Sequence, residues 1–217
     1  MTSQAVEQYK YIAENSKDTD LALLALGDVY LKQKKYDEAV KYYTELIKNK
    51  PRMAAAYANL AAAYAAQGKS REEMENLRKA VAMAPNEPVV RFNLGVAYEK
   101  RNMHEQALSE YEQVLKINPH DADAMERIAE LSLKTRKFSQ AAAYLEKLAV
   151  KFPQRAALFV NLGFAYGELK KHEMSAKNYE KALKLGAKSS TLHYNLAYTY
   201  SQLGREKEAI TQYEQVS

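Results

Sequence analysis

Cysteine and tryptophan are absent from this sequence, and proline and glycine are scarce, five and seven in 217 residues. Without cysteine there is no disulfide framework, no thiolate zinc site and no thiol nucleophile. No apolar run approaches the roughly 18 residues that a spanning helix needs. The N-terminal MTSQAVEQYK also lacks the charged-then-apolar order of a signal peptide. We therefore expect a cytoplasmic protein with no membrane insertion, although a chain without thiols is at home in either redox compartment. Charge is not concentrated: 32 basic and 27 acidic residues leave +5, and the longest basic runs are pairs. The electrostatic stripe of a nucleic-acid binder is missing, so no nucleic-acid partner is expected. Hydrophobic residues make up 47% and charged residues 27%, which excludes disorder and fibrous architectures.

What the chain has is tyrosine, 17 in all, and a clock. Pro51, Pro85, Pro119 and Pro153 each follow the last by 34 residues. Tyr30, Tyr64, Tyr98, Tyr166 and Tyr200 keep the same interval, with Ser132 on the vacant beat. Gly27, Gly95 and Gly163 stand three residues before those tyrosines. A second series, Tyr9, Tyr43, Tyr111, Tyr179 and Tyr213, has Leu77 and Leu145 on its intervening beats. Small residues (Ala5, Ala39, Ala107, Ala141, Ser175, Ala209) precede it by four. Such self-similarity at a fixed period is the signature of a repeat array.

Within one period the pattern is helical. Leu23, Leu26, Gly27 and Tyr30 recur at three- and four-residue spacing. A short polar break follows, and Ala39, Tyr43 and Leu46 mark a second helix. Pro51 then stops the chain, because proline lacks the amide donor and clashes with the preceding turn. Each repeat is thus two antiparallel helices with a tight inner turn and a proline-bearing outer turn. Gly68 and Gly204 fall in inner turns, where a left-handed backbone is cheap for glycine.

A 34-residue helix pair with L-G-x-x-Y in its first helix, A-x-x-x-[YF] in its second and a proline near its end resembles the tetratricopeptide repeat. That resemblance implies an all-α fold, a right-handed α-solenoid superhelix of helix pairs. We read residues 1–217 as a single array, with a half-repeat at 2–15 and repeats 1 to 6 at 20–53, 54–87, 88–121, 122–155, 156–189 and 190–217. The array is also compatible with a segment of a longer protein. In the half-repeat, Ala5, Tyr9 and Ile12 should pack on Leu23 and Leu26. The chain departs from the family pattern at Ala187, where a proline is expected and Gly186 should end the helix instead. It departs again at Glu73, where a small residue should pack; Ser70-Arg71-Glu72-Glu73 reads as a capping box that turns Glu73 back to the helix start.

Catalysis finds no machinery. His104, His120, His172 and His193 are scattered, with His104 and His172 two repeats apart at one turn position. No H-E-x-x-H, phosphate-cradling glycine loop or G-x-S-x-G occurs. We expect no enzyme, metal or cofactor. Most tyrosines fall at the two packing positions and belong to the core.

A helical wheel at about 100° per residue puts positions 4, 7, 8 and 11 of each first helix on the packing side. Positions 2, 5, 6, 9, 12 and 13 lie opposite, the side that faces the concave groove of a tetratricopeptide array. That face is unexpectedly apolar: Val89, Phe92 and Val96 in repeat 3, Ala157, Val160 and Phe164 in repeat 5, Tyr194 and Tyr198 in repeat 6. Repeat 2 offers only alanines (Ala55, Ala58, Ala62, Ala65, Ala66), leaving room for a ligand's bulk. A contiguous apolar strip marks a binding surface. Position 6 carries Asn59, Asn93, Asn161 and Asn195, whose amides each match one peptide group. They resemble the asparagine ladder lining the O-linked N-acetylglucosamine transferase repeats. Arg127 interrupts the ladder, among Asp123, Glu126 and Glu130; this patch is either a solvated face or a seat for a basic side chain. Leu24 and Asp28 occupy the positions where a chaperone-tail clamp needs Lys and Asn, so no such clamp is expected. The expected partner is a protein or peptide segment, extended or helical, in the concave groove. Two other readings stand: a self-assembling, homo-oligomeric scaffold like the magnetosome-associated tetratricopeptide proteins, and the substrate-recruiting part of a larger enzyme such as a glycosyltransferase.

Overall fold

A computed structural model of the chain describes residues 3–15 and 19–216, the side chains of Ser3 and Ala5 apart. Among these residues there are thirteen α-helices and no strand. The helices are α1 (Ser3–Asn15), α2 (Asp20–Lys32), α3 (Tyr36–Asn49), α4 (Ala54–Ala66), α5 (Ser70–Met83), α6 (Pro88–Glu99) and α7 (His104–Ile117). They continue as α8 (Ala122–Lys134), α9 (Phe138–Lys151), α10 (Ala156–Glu168), α11 (His172–Lys184), α12 (Ser190–Gln202) and α13 (Glu206–Tyr213). They form two compact units, Met1–Pro119 and His120–Ser217. In each unit even-numbered helices pair with the odd-numbered helix that follows, and successive pairs stack through the odd-numbered helix.

The inner turns share one geometry. Lys34, Gly68, Asn102, Arg136, Lys170 and Gly204, 34 residues apart, all have positive φ, between 56° and 73°. The next residue donates its amide five residues back, to the carbonyl of Tyr30, Tyr64, Tyr98, Ser132, Tyr166 or Tyr200, at 2.8–3.0 Å. This is a Schellman closure, which satisfies carbonyls that a helix end leaves without partners. The same residue also covers the tyrosine it bonds: Lys35 over Tyr30, Lys69 over Tyr64, Lys171 over Tyr166 and Arg205 over Tyr200.

Outer turns end differently. Lys50, Ala84, Asn118 and Phe152 leave the helix with ψ turned to between 65° and 89° before Pro51, Pro85, Pro119 and Pro153, because a residue preceding proline is pushed out of the α region. At the fifth outer turn Gly186 takes over, as its sequence position indicates. Its φ is +88°, and Ala187 donates back to the Ala182 carbonyl at 3.0 Å.

In the N-terminal unit, Leu26, Tyr30, Ala39, Tyr43, Leu60 and Ala63 form one buried cluster. Val6, Tyr9 and Ala13 of α1 pack against it. The expected face of α1 is thus corrected by part of a turn: Tyr9 is retained, Ile12 is 39% exposed, and Ala13, four residues after Tyr9, packs on the cluster instead. Ala5's side chain lies outside the described residues. The capping-box reading of Glu73 is also overturned. Its side chain is buried, and its carboxylate pairs with Arg101 at 2.8 Å. Arg101, just past α6, also donates to the carbonyls of Ala97 and Ser70. A charge buried without a partner would be costly; this one is paired and hydrogen-bonded across the repeat boundary.

Candidate functional site

Buried tyrosines of the second helices reach through to the groove face of the first. In the N-terminal unit the Tyr43 hydroxyl donates to Asp28 Oδ1 at 2.6 Å. Burial and the Asp28 carboxylate push its ionisation far above the usual phenol range. Asn59 Nδ2 donates to the same oxygen at 3.2 Å, so this asparagine ties repeat 2 to repeat 1. The Tyr111 hydroxyl donates to Glu99 at 2.9 Å, and its ring packs 5.2 Å from Phe92, which is half-buried. In the C-terminal unit the Asn195 side chain lies close to Tyr179, and burial, the larger effect, raises the ionisation of that phenol. Asn93 is exposed and Asn161 half-exposed, and neither spends its amide on a neighbour in the described chain. The four ladder residues are therefore of two kinds: Asn59 and Asn195 brace the array, while Asn93 and Asn161 are open.

Among the described residues a cleft lies on this face in each unit. Between repeats 2 and 3 a cavity of about 210 Å³ is walled by Ala58, Ala62 and Ala65, with Asn93 and Val96 opposite and Glu73 at its side. Between repeats 5 and 6 a cleft of about 550 Å³ is bounded by Phe164, Tyr198, Asn195, Glu168, Lys170 and Gln202. Phe164, Asn195 and Tyr198 stand three repeats on from Ala62, Asn93 and Val96, so one junction is built twice with different walls. Val160 is half-buried nearby in sequence on α10, and Tyr194, 52% exposed, lies edge-on to Tyr213 at 5.8 Å. In repeat 4 Glu126 is tied to Arg155, and Arg127 lies 3.4 Å from Glu130. That patch is largely satisfied by its own charges.

The histidines do not converge. His104 and His172 each open a second helix with a buried Nδ1 that finds no partner, and His193 Nδ1 meets Gln212 at 2.8 Å. Among the described residues no three His, Asp or Glu side chains are grouped to hold a metal ion, and no helix is long and apolar enough to cross a membrane.

Family models described as tetratricopeptide repeat match residues 24–88, 100–162 and 154–217. The chain belongs to the tetratricopeptide repeat family. Comparison with curated proteins gave no match. Solved structures of tetratricopeptide proteins share the fold. MamA (residues 41 to the end) from Desulfovibrio magneticus RS-1 has 23% identity and a TM-score of 0.65, over 75% of this chain and 92% of that one. YrrB, described as a TPR protein with an unusual peptide-binding site, has 14% identity and a TM-score of 0.71, over 80% and 90%. A tetratricopeptide protein from Parabacteroides merdae has 15% identity and a TM-score of 0.64, over 97% and 84%.

Sequence reasoning missed several residues of this tetratricopeptide face. Glu168 and Gln202 stand at position 13 of their repeats, on the side the wheel gives to the groove, but being polar they were passed over in favour of the apolar strip and the asparagines; Lys170 enters the larger cleft from an inner turn, outside the wheel altogether. Glu73 carried a signal, its charge on a beat of small residues, but the local capping pattern offered it another fate.

Proposed function

We propose that the protein is a non-enzymatic scaffold that holds a peptide segment on the groove face of its first helices. The observation that carries this reading is the convergence of groove-face residues at the two junction clefts, with Asn93 on one and Phe164, Asn195 and Tyr198 on the other. In each unit an open asparagine, Asn93 in the N-terminal one and Asn161 in the C-terminal one, grips a peptide backbone by offering a donor and an acceptor. Phe92, Val96, Val160, Phe164, Tyr194 and Tyr198 supply apolar contact, and Glu126, Arg127 and Glu130 form a charged stretch alongside. Asn59 and Asn195 hold neighbouring repeats in register and act on the peptide through that bracing. YrrB's description as a peptide-binding tetratricopeptide protein supports the same use of the fold.

The test is calorimetry on peptides selected from a displayed library. Each open asparagine contributes roughly 0.5–1.5 kcal/mol net, so the double variant Asn93→Ala with Asn161→Ala should weaken every selected peptide by about twofold to tenfold, whichever unit holds it. Unchanged affinities would place the binding surface elsewhere.

A further inference from the structure

This inference rests on the peptide-groove reading above. We propose that the cleft between repeats 5 and 6 takes one tyrosine side chain of the bound peptide. Its volume, about 550 Å³, falls in the roughly 300–1,000 Å³ range of ligand sites. Phe164 and Tyr198 open onto it from neighbouring first helices, 39% and 51% exposed. Phe164 is already fixed edge-on against Phe138, with ring centroids 5.8 Å apart and planes at 87°. One wall is therefore set before a ligand arrives. A third ring entering here makes stacked or edge contacts that exceed its area burial, which an aliphatic side chain does not.

The polar groups select among rings. The Asn195 side chain lies close to Tyr179, and the Thr199 hydroxyl donates to the Asn195 backbone carbonyl at 2.7 Å. The Gln202 amide has no such engagement, and the Glu168 carboxylate pairs with Arg136 at 3.5 Å and lies within electrostatic reach of Tyr179. The Gln202 amide can bond a hydroxyl, and the Glu168 carboxylate keeps acceptor capacity beyond its pair with Arg136. Charge disfavours ionic anchors of either sign, because Glu168 stands beside Arg136 and Lys170. A neutral ring with one hydroxyl meets all of these conditions. The equivalent cavity between repeats 2 and 3, about 210 Å³ and walled by alanines, has no exposed ring.

The experiment selects nine-residue peptides from a displayed random library on the full chain. The affinity of a selected peptide is then measured with its anchor residue as Tyr, Phe, Leu, Glu and Lys. Tyrosine should dominate one position; Phe should bind about 2- to 10-fold more weakly, and Leu about tenfold or more. Tyr198→Ala should abolish the preference for Tyr over Leu. Gln202→Ala should bring Tyr and Phe within about twofold. Both positions are exposed, and a thermal melt confirms that the variants fold. Leu, Glu or Lys matching Tyr, or a preference that survives Tyr198→Ala, overturns the inference. Asn161→Ala, outside the cleft, separates the two levels. If it weakens all peptides while no tyrosine preference exists, only the anchor is wrong; if it has no effect either, or the library yields no binder, the peptide-groove reading falls with it.

Discussion

Gly163 lies so close to the Tyr179 ring that a methyl group added to it would sit 2.5 Å from the ring carbons. Gly27 against Tyr43 and Gly95 against Tyr111 are built alike. In repeats 2 and 4 the same two positions hold Ala61 with Leu77 and Ala129 with Leu145, so a smaller partner admits the methyl group. Gly163→Ala should therefore destabilise by about 1–3 kcal/mol through overpacking. Tyr179→Leu made together with it should cost less than the two single changes summed, by about 0.5–3 kcal/mol, read from thermal unfolding of all four proteins. Alkaline pH probes the same residues. Tyr166 and Tyr200 are pushed up to about 12, by burial first and then by Glu146 and Glu180, and Tyr43 and Tyr179 are raised further. The native state holds these protons more tightly than the unfolded chain, whose phenols titrate near 10. The resulting stability is complete below about pH 10 and is lost as pH rises through the folded values. Melting temperature should fall steeply above pH 10, together with the rise of phenolate absorbance. The tyrosine and glycine beats were plain in the sequence. That one packs on the other, and that the hydroxyls reach Asp28, Glu99 and Asn195, are tertiary facts that no local pattern carries.

At the scale of elements, the sequence marks helix pairs through periodicity and marks outer turns through proline. It marks only two of the six inner-turn bends, Gly68 and Gly204. Lys34, Asn102, Arg136 and Lys170 adopt the same left-handed backbone because the Schellman bonds impose it, not because these residues favour it. An L-residue there costs roughly 1–2 kcal/mol, and glycine's extra chain entropy takes back about 0.5–1 kcal/mol. Arg136→Gly and Lys170→Gly should each stabilise by up to about 1 kcal/mol. Asn102→Gly should gain less, since asparagine tolerates this region, and Gly68→Ala should destabilise. Thermal melts of the four variants check the order. Arg136 also gives up its contact with Glu168, but that exposed pair at 3.5 Å contributes little. The groove face was legible at this scale too, since 3.6-residue geometry sorts side chains by position. Its division into bracing and open asparagines was not, because it depends on where Asp28 and Tyr179 arrive from other helices.

For the molecule as a whole, each unit presents a groove face with one junction cleft, and exposed apolar residues also stand elsewhere. Val150 on α9 is 84% exposed and Ile210 on α13 is 59% exposed, so assembly through other faces is the competing use of the surface. Site-specific photo-crosslinking separates the two most directly. A photoreactive side chain is placed in turn at Val96 and Val160 on the groove face, and at Val150 and Ile210 away from it, with a library-selected peptide present. Peptide binding on the groove face predicts peptide adducts at Val96 and Val160 and none at Val150 or Ile210. Adducts at Val150, or protein–protein adducts at Ile210 with no peptide captured at either groove position, would contradict it.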